Sequence, residues 1–130
     1  HAAGDHLPRG NDEQIEHFRG ILLNWRGELG DEVSRTVSHM KDEAANFPDP
    51  ADRATQEEEF SLALRTRDRE RKLISKIDSA LNRIEDGSYG YCQETDEPIS
   101  LKRLMARPIA DLSLEAQERH ERLERTHRDD

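Results

Sequence analysis

The sequence predicts a mainly all-α protein in which a long antiparallel coiled-coil hairpin is followed by a small C-terminal module. Its 130 residues are only 32% hydrophobic and 38% charged, which is too polar for a thick compact core. Apolar residues recur three or four positions apart in two long segments, as they do along one face of a helix. A short segment with two prolines separates these segments, so the second helix is expected to fold back on the first.

Charge and composition exclude several functional classes. The 20 Lys and Arg residues against 29 Asp and Glu residues give a net charge of −9, which argues against general binding to a nucleic-acid backbone. No apolar run approaches the roughly 20 residues that span a bilayer, and the N-terminus lacks the apolar centre of a signal peptide. We therefore expect a cytoplasmic protein. No set of nucleophile, base and orienting group is visible, so no enzymatic activity is expected.

The first helix is predicted from Asp12 onward, after a flexible N-terminus over residues 1–10. Gly20, Gly27 and Gly30 each cost about 1 kcal/mol relative to alanine inside a helix, so the apolar stripe must be well packed. At this spacing the aromatic residues are assigned to packing rather than to ligand binding. The stripe comprises Ile15, Phe18, Leu22, Trp25, Leu29, Val33, Val37, Met40, Ala44 and Phe47.

The predicted tip of the hairpin covers residues 46–54 within a hairpin over residues 11–86. Pro48 and Pro50 disfavour the α conformation in the residue before each of them, so the first helix must end here. Asp49 suits the N-cap of the second helix, Pro50 its first position and Asp52 its third. Capping explains Asp49 fully and Asp52 less well, so a functional role for the two carboxylates remains open.

The second helix is predicted to run to Gly87, which is a natural helix stop. Six basic residues against two acidic ones between Arg65 and Lys76 give a local charge of +4. Arg69, Lys72 and Lys76 share a face, which is either a solvated surface or a docking surface for an acidic partner or a phosphorylated ligand. The predicted stripe comprises Phe60, Leu64, Arg67, Arg71, Ile74, Ile77, Leu81 and Ile84.

Residues 87–130 are predicted to form the small module and a C-terminal helix. Ser100 is placed to cap a short helix ending before Pro108, and Ser113 to cap the last helix. The predicted core of this module comprises Tyr89, Tyr91, Ile99, Leu101, Leu104, Ile109, Leu112 and Leu114.

Several segments of the module and of the hairpin together form a recognisable pattern. In the module they are Tyr-Gly-Tyr-Cys at residues 89–92, Ile99, and Arg-Leu-Met-Ala-Arg-Pro at residues 103–108. In the hairpin they are Asp-Glu-Ala-Ala-Asn-Phe-Pro-Asp-Pro at residues 42–50, Gln-Glu-Glu-Glu-Phe-Ser-Leu at 56–62 and Arg-Asp-Arg-Glu-Arg-Lys-Leu-Ile at 67–74. Together these segments resemble the DksA/TraR family of RNA polymerase-binding transcription factors, and the resemblance runs from Ile15 to about Ala116.

The sequence departs from the zinc-containing members of that family in one respect. Where those members carry two Cys-x-x-Cys pairs, this chain has Cys92, Thr95, Ser113 and Ala116. A neutral hydroxyl is a poor zinc ligand and alanine is none, so a degenerate zinc finger without structural zinc is expected. His120 and His127 lie on a polar helix and are poor candidates for replacement ligands.

The resemblance implies insertion of the hairpin tip into the secondary channel of bacterial RNA polymerase. It also implies destabilisation of promoter open complexes and, with ppGpp, repression of rRNA promoters and activation of amino-acid biosynthesis promoters in the stringent response. Such a protein acts as a monomer without sequence-specific DNA binding.

Site residues follow from the resemblance position by position. The tip determinants fall on Asp49, Asp52 and Ala54, and a contact to the polymerase rim falls on Arg69. The ppGpp-binding positions fall on Lys76 and Arg107, with Lys72, Leu73 and Arg103 as supporting candidates. Basic side chains suit the phosphates of ppGpp because they make charge-assisted hydrogen bonds. A third basic position of that site is Gln117 here, which leaves the strength of ppGpp coupling open.

Two alternatives are kept beside this hypothesis. One is a Gre-like factor whose acidic tip assists transcript cleavage by helping to position a catalytic Mg²⁺. The other is a helical-hairpin adaptor that uses its charged faces on a different partner.

Overall fold

A computed structural model describes residues 12–45 and 50–129 of the chain. They form four α-helices, α1 (Asp12–Ala44), α2 (Pro50–Asp86), α3 (Leu101–Ala106) and α4 (Leu114–Asp129). Within those residues the extended structure is limited to an isolated antiparallel bridge between Tyr91 and Pro98. The prediction of a mainly all-α fold is confirmed. None of the described helices is long and apolar enough to cross a bilayer.

The chain divides into two compact units, which are described separately. The coil unit is Leu23–Ile77, with one segment of α1 and one of α2. The base unit comprises residues 12–22 together with residues 78–129 of the described chain, and so includes the start of α1, the end of α2, α3 and α4. The predicted boundaries at residues 10/11 and 86/87 stay predictions.

In the coil unit the two helices run antiparallel. Near the far end of α1 the side-chain amide of Gln56 donates to the main-chain carbonyl of Glu43 at 2.7 Å. Further along, Glu32 of α1 lies beside the buried Glu70 of α2, near enough to raise the pKa of the Glu70 carboxyl after the larger effect of burial. Seven buried or half-buried positions of α2 follow one another at alternating intervals of four and three, which is a coiled-coil heptad pattern. They are Gln56, Phe60, Ala63, Arg67, Glu70, Ile74 and Ile77.

Two inward positions predicted for α2 are wrong. Leu64 is 42% exposed and Arg71 is also exposed, whereas the neighbouring Ala63 is half-buried and Glu70 is buried. A strict heptad places Ala63 and Glu70 inward in place of Leu64 and Arg71. The size of the residues alone does not predict this choice.

The stripe of α1 is confirmed over most of its length. Phe18, Leu22 and Leu29 are buried, and the members from Val33 to Met40 are half-buried. Ala44 is exposed, contrary to the prediction, because it lies in the last turn of the helix. Phe47 lies outside the described residues. The three successive intervals from Trp25 to Leu29, Val33 and Val37 are all four residues, which departs from the alternation of three and four as a stutter does.

The base unit contains most of the buried apolar side chains. The ring of Phe18 on α1 lies 5.8 Å from the ring of Tyr89, centroid to centroid, with a tilt of 46°. Arg19 forms an ion pair with Glu85 near the end of α2. The remaining core members are Leu22, Ala80, Ile84, Tyr91, Cys92, Ile99, Leu104, Ile109, Ala110 and Ala116.

Local signals at the helix ends of the base unit are confirmed. Gly87 follows α2 with a φ of +84°, and the N–H of Ser88 returns to the carbonyl of Arg83 at 2.9 Å. A left-handed residue after the helix with this bond is the Schellman arrangement, and it suits glycine. Ser100 caps α3 and Ser113 accepts from the N–H of Ala116 at the start of α4. The predicted core residue Leu114 is 58% exposed, because it opens α4 with its side chain away from the core.

Candidate functional site

The predicted tip lies at the start of α2. The helix begins at Pro50, as predicted, and Asp52 and Ala54 follow in its first turns with exposed side chains. The carboxylate of Asp52 lies near the positive end of the helix dipole, where negative charge is favoured. Asp49 and the rest of residues 46–49 lie outside the described residues.

A basic face follows on α2. Arg69, Lys72 and Lys76 are exposed at spacings of three and four, and Leu73 beside them is half-buried. All four belong to the coil unit. Long cationic side chains at this spacing form one continuous surface on the helix, so the predicted shared face is present.

Beneath this face the coil unit contains a buried polar layer. Glu70 is 7% exposed, and burial, followed by its hydrogen bond to Glu32 and the charge of Glu32, raises the pKa of its carboxyl. Arg69 and Arg35 partly oppose this shift. The second carboxyl oxygen of Glu70 and the Nε of Arg67 are buried without a hydrogen-bond partner in the structure. Unpaired buried polar atoms cost stability, so this layer weakens the coil unit.

The base unit contains an open groove of about 570 Å³ between α3 and the start of α4. Three cationic side chains line it, those of Lys102, Arg103 and Arg107, together with the hydroxyls of Ser100 and Ser113. Its volume is in the range that holds a nucleotide-sized ligand. Glu97 and Glu115 at the rim limit the positive charge, and Leu114 adds an apolar edge.

The arginines of the groove differ in how they are held. The Nε of Arg103 donates to the carbonyl of Leu112 at 3.0 Å, so part of this guanidinium is committed to the fold. Arg107 is exposed, and its main-chain N–H donates to the carbonyl of Arg103 at 2.7 Å. The guanidinium of Arg107 is therefore more available to an anion, whereas that of Arg103 is more firmly anchored to the fold. Gln117, in the first turn of α4, is half-buried and bonds to Glu121.

The four degenerate zinc-ligand positions come together in the base unit. The Cys92 thiol is buried and Ala116 is fully buried, while the Ser113 hydroxyl is occupied as the cap of α4. Burial alone would raise the pKa of Cys92, but hydrogen bonds from the Thr95 hydroxyl and from the main chain of Ser113, Thr95 and Glu94 lower it to about 7. These donors stabilise a thiolate at the place where a metal ion would do so.

The donor set does not fit zinc. A C4-type finger holds the ion with four thiolates, whereas the four positions here supply one sulfur, two hydroxyls and a methyl group. Across residues 12–45 and 50–129, no cluster of three or more His, Cys, Asp or Glu side chains is arranged to hold a metal ion. His120, considered as a replacement ligand, is instead paired with Glu94.

Glu94 joins the Cys92 turn to α4. Its carboxylate contacts both His120 and, at 3.1 Å, the guanidinium of Arg119. Hydrogen bonds from His120 and then Arg119 lower the pKa of Glu94. Sequence reasoning missed this contact and also Lys102. The basic pair Lys102-Arg103 could have indicated that Lys102 lines an anion-binding surface. Glu94 and His120 are 26 residues apart in sequence, and no local pattern predicts their contact.

Comparisons with known proteins cover almost the whole described chain. Residues 14–84 match the family described as DnaK suppressor protein DksA, N-terminal domain, and residues 87–122 match the prokaryotic dksA/traR C4-type zinc finger. A relative from Caulobacter vibrioides, named RNA polymerase-binding transcription factor DksA, is 62% identical over 120 residues, which are 92% of this chain and 84% of the relative. The protein of the same name from Escherichia coli K12 is 61% identical over 105 residues, 81% of this chain and 70% of the relative.

Solved structures of transcription factors of this kind also match the chain. The structure of transcription factor DksA2 from Pseudomonas aeruginosa matches with a TM-score of 0.81 and 44% identity, over 88% of each chain. The RNA polymerase binding protein and transcriptional regulator Dks from Chlamydia trachomatis matches with a TM-score of 0.54 and 28% identity, over 86% of this chain and 92% of that one.

Proposed function

The chain belongs to the DksA/TraR family, and from this premise we propose that it is a non-enzymatic transcription regulator that binds RNA polymerase directly. The observation that carries the proposal is the identity of 61–62% to relatives named as RNA polymerase-binding transcription factors. Both family matches lie within this chain, one in the helical hairpin and one in the C-terminal module. Bacterial RNA polymerase works in the cytoplasm, so the proposal places the protein there, as a monomer.

The hairpin tip is the proposed effector of this regulation. It enters the secondary channel of the polymerase and destabilises promoter open complexes through Asp49, Asp52 and Ala54, while Arg69 contacts the rim. In support, Asp52 and Ala54 are exposed in the first turns of α2, and Arg69 is exposed on the basic face. The acidic start and the basic face lie on one helix, so a single element offers opposite charges at separate points for a complementary partner surface.

The alarmone ppGpp is the proposed co-regulator, with repression of rRNA promoters and activation of amino-acid biosynthesis promoters as the outcome. Arg107 supplies a guanidinium at the groove of the base unit, and Lys76 supplies an exposed ammonium on the coil unit. Lys72, Leu73 and Arg103 are proposed as supporting residues. Phosphate groups favour arginine and lysine because these side chains donate charge-assisted hydrogen bonds. Gln117 brings no charge, so the coupling is expected to be weaker than with three cations.

The tip assignment is tested with Asp52→Asn in the full chain, assayed on purified polymerase at an rRNA promoter. We expect polymerase affinity to change by less than about twofold, since one exposed carboxylate contributes little to a standard interface. Open-complex destabilisation is expected to fall at least about tenfold, the effect of losing roughly 1.4 kcal/mol of differential interaction. Glu58→Gln, which neutralises an exposed carboxylate two turns further along α2, is the matched control and should retain both activities.

Full promoter activity of Asp52→Asn would refute the tip assignment. Stimulated RNA cleavage in a backtracked complex would show the Gre-like activity instead, and absence of polymerase binding by the unmodified chain would leave only the adaptor hypothesis.

We also propose that the C-terminal module folds without zinc. Its support is the donor set of Cys92, Thr95, Ser113 and Ala116, in which one residue is a strong zinc ligand. Metal analysis of the purified protein tests the proposal, and stoichiometric zinc would overturn it. A chelator is expected to leave the thermal midpoint unchanged.

A further inference from the structure

The loop of residues 107–112, which joins α3 to α4, carries Arg107 at its start and is held by its carbonyl groups. We refer to it as the Arg107 loop. Five of its six carbonyls accept a hydrogen bond. Two of these bonds come from main-chain N–H groups, from Ala110 to Arg107 at 3.0 Å and from Gln93 to Asp111 at 2.8 Å. A loop fixed at nearly every carbonyl has little freedom to move its side chains by backbone rearrangement.

The other three bonds come from side chains. The hydroxyl of Tyr89 donates to the carbonyl of Pro108 at 2.7 Å, and the guanidinium of Arg83 to that of Ile109 at 3.5 Å. Arg103 donates to the carbonyl of Leu112. Tyr89 and Arg83 are distant in sequence from their acceptors, by 19 and 26 residues. They therefore tie the Arg107 loop to the end of α2 and to the turn that follows it.

Tyr89 and Arg83 are themselves rigidly held. Tyr89 is 2% exposed and packs against Phe18, and burial raises the pKa of its phenol, so the hydroxyl remains a donor at neutral pH. Arg83 is 7% exposed, and a second guanidinium nitrogen donates to the Ser79 hydroxyl at 2.9 Å. Buried in this way, the Arg83 guanidinium is directed at the loop and is not offered to a ligand.

We propose that Tyr89 and Arg83 are positioning residues, which fix the Arg107 loop and so set where the Arg107 guanidinium meets the phosphates of ppGpp. The inference rests on the proposed function, because it takes Arg107 to be an effector ligand. Charge-assisted bonds to phosphate depend on the direction of the donor, so a loosened loop weakens the response without removing any charge.

A double-mutant cycle in the full chain tests this inference. Tyr89→Phe removes only the hydroxyl and keeps the buried ring, and it is combined with Arg107→Ala. The quantity measured is the ppGpp concentration that gives half of the maximal increase in open-complex destabilisation. For Tyr89→Phe we expect this concentration to rise about threefold to tenfold, the range that loss of one hydrogen bond gives. Destabilisation without ppGpp should stay within about twofold of the unmodified protein.

The coupling between the two positions distinguishes positioning from a general structural effect. In the Arg107→Ala background, Tyr89→Phe should cause no further rise, because the residue through which it acts is gone. Thr126→Val is the matched control, since it removes another hydroxyl-to-carbonyl bond, to Arg122 on α4. It should change neither quantity. Amide exchange at Ala110 should accelerate in Tyr89→Phe and stay unchanged in Thr126→Val.

Arg83 provides a second, independent variant. Arg83→Lys keeps a donor that reaches one acceptor, whereas Arg83→Met leaves the Ile109 carbonyl without its donor. Arg83→Lys should therefore retain more of the ppGpp response than Arg83→Met.

Each contrary result has a distinct meaning. Additive effects of Tyr89→Phe and Arg107→Ala, or unchanged exchange at Ala110 in Tyr89→Phe, would overturn the positioning role and leave the effector site in place. A normal response of Arg107→Ala alone would overturn the proposed effector site, and the positioning role with it.

Discussion

The base unit and the coil unit are built from the same two long helices, yet they are packed very differently. Among residues 12–45 and 50–129, fourteen apolar residues are buried; Leu29 and Ile77 lie in the coil unit, and the other twelve belong to the base unit. The coil unit also buries the carboxyl of Glu70, one oxygen of which has no hydrogen-bond partner, whereas the buried guanidinium of Arg83 in the base unit donates to Ser79 and Ile109.

This difference in packing suits the two units to different parts of the proposed function. The base unit has a true interior, so it can hold a groove and its cationic side chains in a fixed geometry. The coil unit consists mostly of half-buried seam positions and exposed charged faces, and gains little from burial of apolar area. Under the proposed function its contribution is a surface for the polymerase, and binding of that partner would add to the stability of the folded coil unit.

The largest expected effect comes from breaking the interior of the base unit. Phe18→Ala removes a ring that is 1% exposed and packed on Tyr89, and should cost about 3–5 kcal/mol of unfolding free energy. In the coil unit, Val37→Ala at a half-buried seam position should cost about 1 kcal/mol or less, both because the site is less buried and because a smaller group is removed. Urea unfolding followed by circular dichroism measures both. Equal costs would contradict the contrast between the two units.

Sequence reasoning predicted the helices because their signals are local. Periodicity placed α1 and α2, Gly87 marked the end of α2, and Ser100 and Ser113 marked the starts of α3 and α4. The register of α2 is harder to predict. Leu64 is larger and more apolar than Ala63, and Arg71 has a longer aliphatic chain than Glu70, so size and hydrophobicity favour the wrong residue of each pair. Residue type does not reveal that a coiled-coil seam contains a buried acid.

The candidate site was predictable only where one residue type carried the signal. Asp52, Arg69 and Arg107 are assigned by resemblance, and their roles stay predictions, whereas the loss of three thiolates is evident directly from the sequence. The bond from Tyr89 to Pro108 and the donors around Cys92 depend on contacts between distant parts of the chain. Such contacts arise from tertiary packing, which leaves no local pattern in the sequence.

The next effect concerns Cys92, whose thiol is expected to make the stability of the base unit depend on pH. Its pKa is lowered from 9.0 to about 7, so the folded state favours the thiolate. A depressed pKa contributes stability that is fully present above the unfolded value and is lost as the pH falls through the folded value. Unfolding free energy should therefore rise between pH 7 and pH 9, by at most about 3 kcal/mol at about 1.4 kcal/mol per pKa unit.

Cys92→Ala provides the control for this pH dependence. The rise between the two pH values should be absent in the variant, and thiolate absorbance of the unmodified protein should titrate near neutral pH. A thiol that titrates at its ordinary pKa would refute the role of the surrounding donors.

A smaller effect is expected from repairing the polar layer of the coil unit. Glu70→Leu places an apolar side chain at a heptad position and should raise the unfolding free energy by about 1–2 kcal/mol at neutral pH, since replacing buried charge by apolar packing is often stabilising. Arg71→Leu, at the exposed neighbouring position, should change it by less than about 0.5 kcal/mol.

The pH dependence of the Glu70 effect has a definite sign. The pKa of this carboxyl is raised, first by burial and then by Glu32, so its favourable contribution is present at acid pH and lost as the pH rises through the folded value. The gain from Glu70→Leu should therefore shrink on acidification. A gain that is the same at acid and neutral pH would show that Glu70 does not titrate in the coil.

The smallest effect concerns the glycines, and tests whether Gly27 lowers the stability of α1 in the coil unit. A Cβ built on Gly27 meets no atom within 4 Å, so Gly27→Ala should stabilise α1 by about 1 kcal/mol. The same change at Gly87 should destabilise the protein, although it also meets no atom, because φ there is +84°. Thermal unfolding of the two variants separates helix propensity from backbone strain. Opposite signs are expected, and stabilisation by both would contradict the left-handed geometry after α2.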